Sequence, residues 1–278
     1  MSIFDRIDGL SLLEDHANEL LGLEDDEAKR ILGVYQRVAK TLRARLARVP
    51  ENTFTEQQIR VALAQVETGI RVLQSDLEEI LPGSIEQVAG KSAVHLAREA
   101  EAMEGMFGGT LQPINLDAVR VASNARNLLF NRYQSSLETY SQGLRSKIAN
   151  GLTEMIAENV GWDSMVGRMM AFFGNEEWML RRIVRTELHN VYGVSKLLGM
   201  RDLQQETFPD LRKTLYHPID SRTGKDSLYA AQRNLVVRVD EPFRYEWPPG
   251  SGKVREFMAP PDRPNDRSIL IPFRPSWA

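Results

Sequence analysis

The chain has 278 residues, 42% of them hydrophobic and 26% charged, which is ordinary globular material, enough for one large domain or two average ones and unlike a disordered segment. It contains no cysteine and four histidines, which excludes disulfides, thiolate metal sites and a cysteine nucleophile. The formal net charge of −3 is uneven: residues 1–180 carry 18 basic and 26 acidic side chains and residues 181–278 carry 17 and 12, so the basic end is the better candidate for meeting DNA or an acidic partner.

The first residues have no basic region followed by an apolar run of signal length, and no stretch of about 18 uninterrupted apolar residues occurs. The expectation is a protein made in the cytoplasm that neither crosses nor anchors in a membrane. From Ala28 the apolar positions Leu32, Tyr35, Ala39, Leu42, Leu46 and Val49 step by fours and threes, the seam of a helix that Pro50 should stop. A capping-box pattern from Thr53 to Glu56 opens a second helix with the same spacing at Ile59, Leu63, Val66, Ile70, Leu73, Leu77 and Ile80, ending at Pro82-Gly83. Two such helices of roughly 33 Å, joined by a short turn, predict an antiparallel helical hairpin whose seams are buried in a bundle or shared with another subunit.

A third helix is expected over 84–106, ending in the loop from Gly105 through Gly108-Gly109 to Pro113. Asn115 or Asp117 then caps a long helix whose apolar positions run from Ala118 to Ile148, followed by short helices at 153–159 and 163–173. The helix that begins near Asn175 should bury Leu180, Val184, Leu188, Val191 and Leu198, with Arg181, Arg185 and His189 four apart on another face. After Gly199 the pattern becomes strand-like: 235–239 and 243–247 predict a hairpin turned by Asp240-Glu241-Pro242, and Pro248 to Gly252 an exposed loop. The fold class expected is mainly α, with a small α+β C-terminal module. The segments are a helical hairpin or bundle at 1–114, a connecting helix with short helices at 115–174, and the α+β module at 175–278.

Several chemistries are tested and fail on spacing. Gly252-Lys253 lacks the P-loop's earlier glycine and following hydroxyl, since Trp247 and Val254 stand there, and neither H-E-x-x-H nor G-x-S-x-G occurs. His217, Asp220 and Asp226 could converge with Asp262 or Asp266 on a hard or borderline metal ion, which would suit a hydrolase or transferase. The competing reading is a turn in which Asp220 and Ser221 accept backbone N–H bonds and Arg222 pairs with a carboxylate. Arg181, Arg182, Arg185 and Lys196 on the basic helix are candidates for touching DNA, with Arg181, Arg182 and Lys196 as the contacts beyond the motif described next.

Three segments stand in a distinctive order: Arg185-Thr186-Glu187 with Tyr192 on a helix, Asp220-Ser221-Arg222-Thr223, and the tail Pro260-Pro261-Asp262-Arg263-Pro264-Asn265-Asp266-Arg267. The order resembles the C-terminal module of the phage Mu F-like minor head proteins, the head morphogenesis family of tailed bacteriophages, over residues 141–278. The resemblance implies a virion component without catalytic residues or cofactor, located inside the head near the portal vertex and acting in head assembly and in DNA packaging and ejection. It further implies the portal protein as partner, with the major capsid or scaffolding protein and packaged double-stranded DNA as further contacts. Its structural motif falls here on Arg185, Thr186, Glu187, Tyr192, Asp220, Arg222, Thr223, Asn265, Asp266 and Arg267. Many relatives look like H-x-x-L-D-G after D-x-R-T and P-N-C-R-C in the tail, whereas this chain has Asn265-Asp266-Arg267-Ser268 in place of the cysteines. The expectation is therefore a tail held by charge-assisted hydrogen bonds among Arg185, Glu187, Arg222, Asp266 and Arg267 in place of a metal.

Overall fold

The computed structural model describes residues 11–46, 56–107, 113–114, 116–158, 162–218, 235–263 and 266–277. Four long helices carry most of the described chain: α1 (Ser11–Leu46), α2 (Glu56–Met106), α3 (Ala118–Ala157) and α4 (Trp162–Glu206). Five short strands follow, β1 (Arg212–Tyr216), β2 (Val237–Arg238), β3 (Phe243–Glu246), β4 (Val254–Phe257) and β5 (Ile269–Phe273), and a 3-10 turn at Pro275–Trp277. The protein is mainly α with a small C-terminal set of antiparallel strands, the fold class that the periodicities predict.

The helices are longer than their breakers suggest. α1 starts at Ser11 because its seam extends back through Leu13, Ala17 and Leu20; the acidic run from Glu24 to Glu27 disguises it, yet Glu24 and Glu27 are themselves buried. α2 is 51 residues long and continues through Pro82, joining the expected second and third helices. Proline there removes one helical N–H, but Leu77 and Leu81 before it and Ile85 and Val88 after it are all buried, so packing outweighs local propensity. Likewise α3 passes Asn150-Gly151, and α4 passes Gly174-Asn175 and Gly199, absorbing the short helices expected there. The inward face of α4 holds Leu180, Val184, Leu188 and Val191 as expected, with Leu197 buried where Leu198 was the expectation.

The described residues fall into two compact units: the first comprises Met1–Asp25, Gly83–Phe130 and Arg185–Ala278, the second Asp26–Pro82 and Asn131–Val184. Within the second, Ile31, Leu32, Tyr35, Leu42, Val66, Ile70, Leu73, Tyr133, Leu137 and Leu144 form buried helical stripes. Within the first, one hydrophobic cluster unites helix and strand residues: Leu96 and Ala100 of α2, Leu197, Met200 and Leu203 of α4, and Phe208, Leu211, Val239, Phe243, Ala259 and Leu270 of the module.

The strands make two sheets. In the first the order is β2-β1-β5, with Tyr216 opposite Ile269 and Lys213 opposite Pro272 in the antiparallel β1–β5 pair. Every residue of β5 is buried, and its proline is tolerated because β5 is an edge strand. The second sheet is the β3–β4 hairpin, closed by the Trp247 N–H bond to the Lys253 carbonyl at 2.9 Å, with Gly250 and Gly252 at φ of 76° and 69° in its loop. The expected hairpin of 235–239 with 243–247 is thus corrected: β2 joins β1 and β3 joins β4. The Glu241 N–H bonds the Arg238 carbonyl at 3.1 Å, which turns the chain tightly, and Val239 and Phe243 both enter the core cluster, so the two segments diverge.

Two glycines of α4 mark close approaches. A Cβ on Gly193 would lie 2.1 Å from the Pro260 carbonyl oxygen, so the tail backbone rests directly on the helix. At Gly199 the nearest atom would be the Leu96 Cδ2 at 2.7 Å, the end of a side chain that can move. Gly193→Ala should therefore destabilise the protein by about 1–3 kcal/mol and Gly199→Ala by less, read as shifts in the urea midpoint.

Candidate functional site

One face of α4 organises the polar interior of the first unit. His189, Tyr192, Gly193 and Lys196 recur at intervals of three, one and three, which places them on a single stripe. That stripe meets α1 and α2 at one level and the C-terminal tail at another.

At the tail, strand register does the positioning. Tyr216 pairs with Ile269, so the residues just outside the pair, His217 and Ser268, come together, and their side chains bond at 2.7 Å between Nδ1 and Oγ. Ser268 also sends its hydroxyl to Asp266 Oδ1 at 2.6 Å and its N–H to the same oxygen at 3.1 Å. An ionised carboxylate can only accept, so the serine proton goes to Asp266, and His217 donates its Nδ1 proton to the hydroxyl oxygen. Burial pushes His217 down to about 4, with Arg263 adding to the effect against Asp266, so this ring is neutral.

His189 is the opposite case. Its Nδ1 lies 2.9 Å from Glu24 Oε1 on α1 and its Nε2 2.7 Å from the Ser268 carbonyl, two acceptors that require a proton on both nitrogens. Burial alone would lower its pKa, but the Glu24 carboxylate, Asp266 and the Ser268 carbonyl outweigh it and raise the value. The ring is a buried imidazolium that ties α1, α4 and the tail together. Asp266, for its part, is held below the usual carboxylate range: burial opposes this, while His189 and the bonds from Ser268 and from the Asp262 N–H at 3.1 Å prevail. Asp262 completes the tail by accepting from Tyr245 at 2.8 Å and from Arg255 at 3.0 Å.

Beside this clamp is a cleft of about 230 Å³ walled by Glu24 and Asp25 of α1, Arg185, Thr186 and His189 of α4, and Asp266 and Arg267 of the tail. Its charges balance in sign, and Arg185 is paired with Asp25. Both His189 nitrogens are occupied, so this ring offers no lone pair to a proton or an ion. In the chain Asp266, Ser268, His217 the hydroxyl sits in the middle and gives its proton to the carboxylate, whereas nucleophile activation needs the imidazole to take it.

Deeper in the unit lies a second network. Lys196 Nζ bonds both oxygens of Glu99, at 2.6 and 2.7 Å, and all three of Lys196, Glu99 and Tyr192 are wholly buried. His16 of α1 donates from Nδ1 to the same carboxylate at 2.8 Å. His95 of α2 lies parallel to His16, ring centroids 3.8 Å apart, and reaches Glu19 Oε2 at 2.8 Å through Nε2 and the Tyr192 hydroxyl at 2.7 Å through Nδ1. Burial, followed by the charge of His16, pushes His95 down to about 4, and burial raises Tyr192 well above its ordinary value. A neutral His95 with its proton on Nε2 satisfies both contacts: it donates to Glu19 and accepts from Tyr192. Lys91 also pairs with Glu19.

The residues singled out by sequence are distributed as follows. Arg185, Asp266 and Arg267 line one cleft, in which Arg185 pairs with Asp25 and Asp266 bonds Ser268 and the Asp262 backbone. Thr186 borders the cleft, Glu187 is buried, and Tyr192 bonds His95. Lys196 does not face solvent: it is fully buried on Glu99, which removes it from the DNA contacts. Arg182 stacks over Trp178 at 5.0 Å and Arg181 is half-buried. Asp220, Arg222, Thr223, Asp226 and Asn265 lie outside the described residues. Among the described residues no group of three or more histidines and carboxylates is placed to hold a metal ion.

His16, Glu24, His95, Glu99 and Ser268 had no role in the sequence reading. A signal exists for the α2 group: Val88, Ser92, His95 and Glu99 step by four, three and four, which are core positions filled by polar side chains. No family model matches the chain, and neither a curated protein nor a solved structure matches it either.

Lys196→Met leaves Glu99 buried without its cation and should cost about 3–5 kcal/mol in urea unfolding, while adding Glu99→Gln should restore part of the loss. His189 makes a pH prediction. Its folded pKa is raised, so its contribution is complete below its unfolded value of about 6.5 and disappears as pH rises through the folded value. The stability gap between the wild type and His189→Gln should therefore narrow from pH 6 towards pH 9, as followed by urea midpoints across that range.

Proposed function

We propose that this chain is a minor capsid protein of a tailed bacteriophage, a head morphogenesis component that joins the head at the portal vertex and acts in head assembly and in DNA packaging and ejection. The observation that carries the reading is the meeting of two motif segments far apart in sequence. The Arg185-Thr186-Glu187 helix and the tail around Asp266-Arg267 line one cleft, and His189 and Gly193 of that helix seat Ser268 and Pro260. These two segments pack against each other, as parts of one module would.

The long helices fit the same reading. α1 to α4 are 36, 51, 40 and 45 residues long, so each spans roughly 55–75 Å at 1.5 Å per residue, and such helices present extended faces to a ring-shaped partner. The partner is the portal protein, and the site of action is the interior of the head. Packaged DNA is a contact for the basic C-terminal part through the half-buried Arg181 and Arg182, with the buried Lys196 excluded.

Co-expression with the portal protein of the same phage, followed by size-exclusion chromatography, should carry the chain into the portal-ring fraction. A clamp variant, His189→Ala, should reduce that association at least tenfold. If the chain elutes alone with the portal ring intact, and procapsids assembled with scaffolding protein also lack it, the proposal falls.

A further inference from the structure

Nothing in tail clamping or portal docking calls for two histidines stacked face to face in the interior. His16 comes from α1 and His95 from α2, their planes are within 1° of parallel, and both are buried. Each ring is wired to groups that fix its protons. His16 gives its Nδ1 proton to Glu99, and among the described residues its Nε2 has no hydrogen-bond partner. His95 gives its Nε2 proton to Glu19 and takes the Tyr192 proton on Nδ1.

A proton added to His95 would thus land on the nitrogen that the Tyr192 hydroxyl already fills. Burial, His16 and Lys196 outweigh the carboxylates of Glu19 and Glu99, which favour a charged ring. From α4, Lys196 already neutralises Glu99. From α2, Lys91 shares Glu19 with His95, and Ser92 spends its hydroxyl on the Tyr192 carbonyl at 2.8 Å. From α1, Glu19 is the only carboxylate bonded to the His95 ring among the described residues.

We propose that the His16–His95 stack is an acid-sensitive latch that holds residues 11–25 of α1 on α2 and α4 and releases them when His95 must take up a proton. In the closed stack His95 refuses a proton that its separated ring would take. Release is therefore favoured by up to tenfold for each pH unit between the ordinary histidine value of about 6.5 and the value of about 4 to which burial and the charge of His16 bring His95. The sign is fixed by the lowered value: closure is most stable above pH 6.5 and weakens as pH falls. His217 has a value of about 4 as well, but its ring bonds Ser268 on the tail and so tests a different element.

The chain has no cysteine, so Ala17→Cys, at a buried position next to His16, gives a single reporter thiol in the full-length protein. Its reaction with a pyridyl disulfide, divided by the rate of a free cysteine peptide at the same pH, should rise up to about tenfold per unit from pH 6 to pH 4. His95→Gln retains a donor for Glu19 and an acceptor for Tyr192 without a titrating ring, and should flatten that slope, whereas His217→Gln should leave it intact. An equal slope in His95→Gln, a flat wild-type profile, or a slope abolished by His217→Gln overturns the latch. Should His95→Gln fail to fold, nitrogen NMR of the protein with both histidines in place decides. His95 keeping its Nε2–H neutral form down to pH 5 supports the latch, and both rings charged while the reporter thiol stays protected refutes it.

Discussion

The Lys196–Glu99 pair is the constraint on which the first unit depends. Two opposite charges that have both lost water are stable only in each other's company, and the cost of separating them inside the protein exceeds that of almost any rearrangement around them. The pair therefore fixes the register of α4 against α2: a shift of one residue would leave an ammonium or a carboxylate stranded among Leu96, Leu197 and Met200. Once that register is set, Tyr192 reaches His95, Gly193 lies under Pro260, and His189 stands between Glu24 and Ser268. A hydrophobic seam alone does not choose between neighbouring registers so sharply, because one leucine fits much like another.

From that register follows the contrast between two buried histidine environments. His189 faces two acceptors and holds two protons; His95 faces one acceptor and one donor and holds one. Residue type is the same in both cases, and the difference comes wholly from the lone pairs and protons around each ring. The tail gains a charge-assisted anchor in this way, and Asp266 serves as its counter-charge.

The helical part of the fold was legible because its seams are periodic, but its boundaries were not. Pro82 and Gly151 are strong local breakers, and each was overruled by apolar positions that continue on both sides or by the length of helix already packed. The acidic run at Glu24 hid the first turns of α1 for a different reason: a buried glutamate is invisible until its partner, His189, is known to be opposite. Lys196 was placed at the surface on the same logic, since an isolated lysine on a helix is usually solvated. The site was half legible. Arg185 and the Asp266-Arg267 tail were marked by their motif, whereas Ser268 and His217 meet only through the pairing of β1 with β5, a long-range register that residue spacing does not encode.

The boundaries of the two units fall at 25/26, 82/83, 130/131 and 184/185, and each of these points lies inside a helix, one in each of α1, α2, α3 and α4. Ordinary domain borders lie in loops, where a polypeptide can be cut or extended at little cost. Here a truncation at any inter-helix connection removes pieces of both bodies at once, and a fragment containing one whole body would need four helices severed mid-turn. Deletion mapping would consequently give an all-or-nothing pattern for any activity of this polypeptide, so that individual point substitutions, and not shortened versions, are the means of assigning roles to its parts.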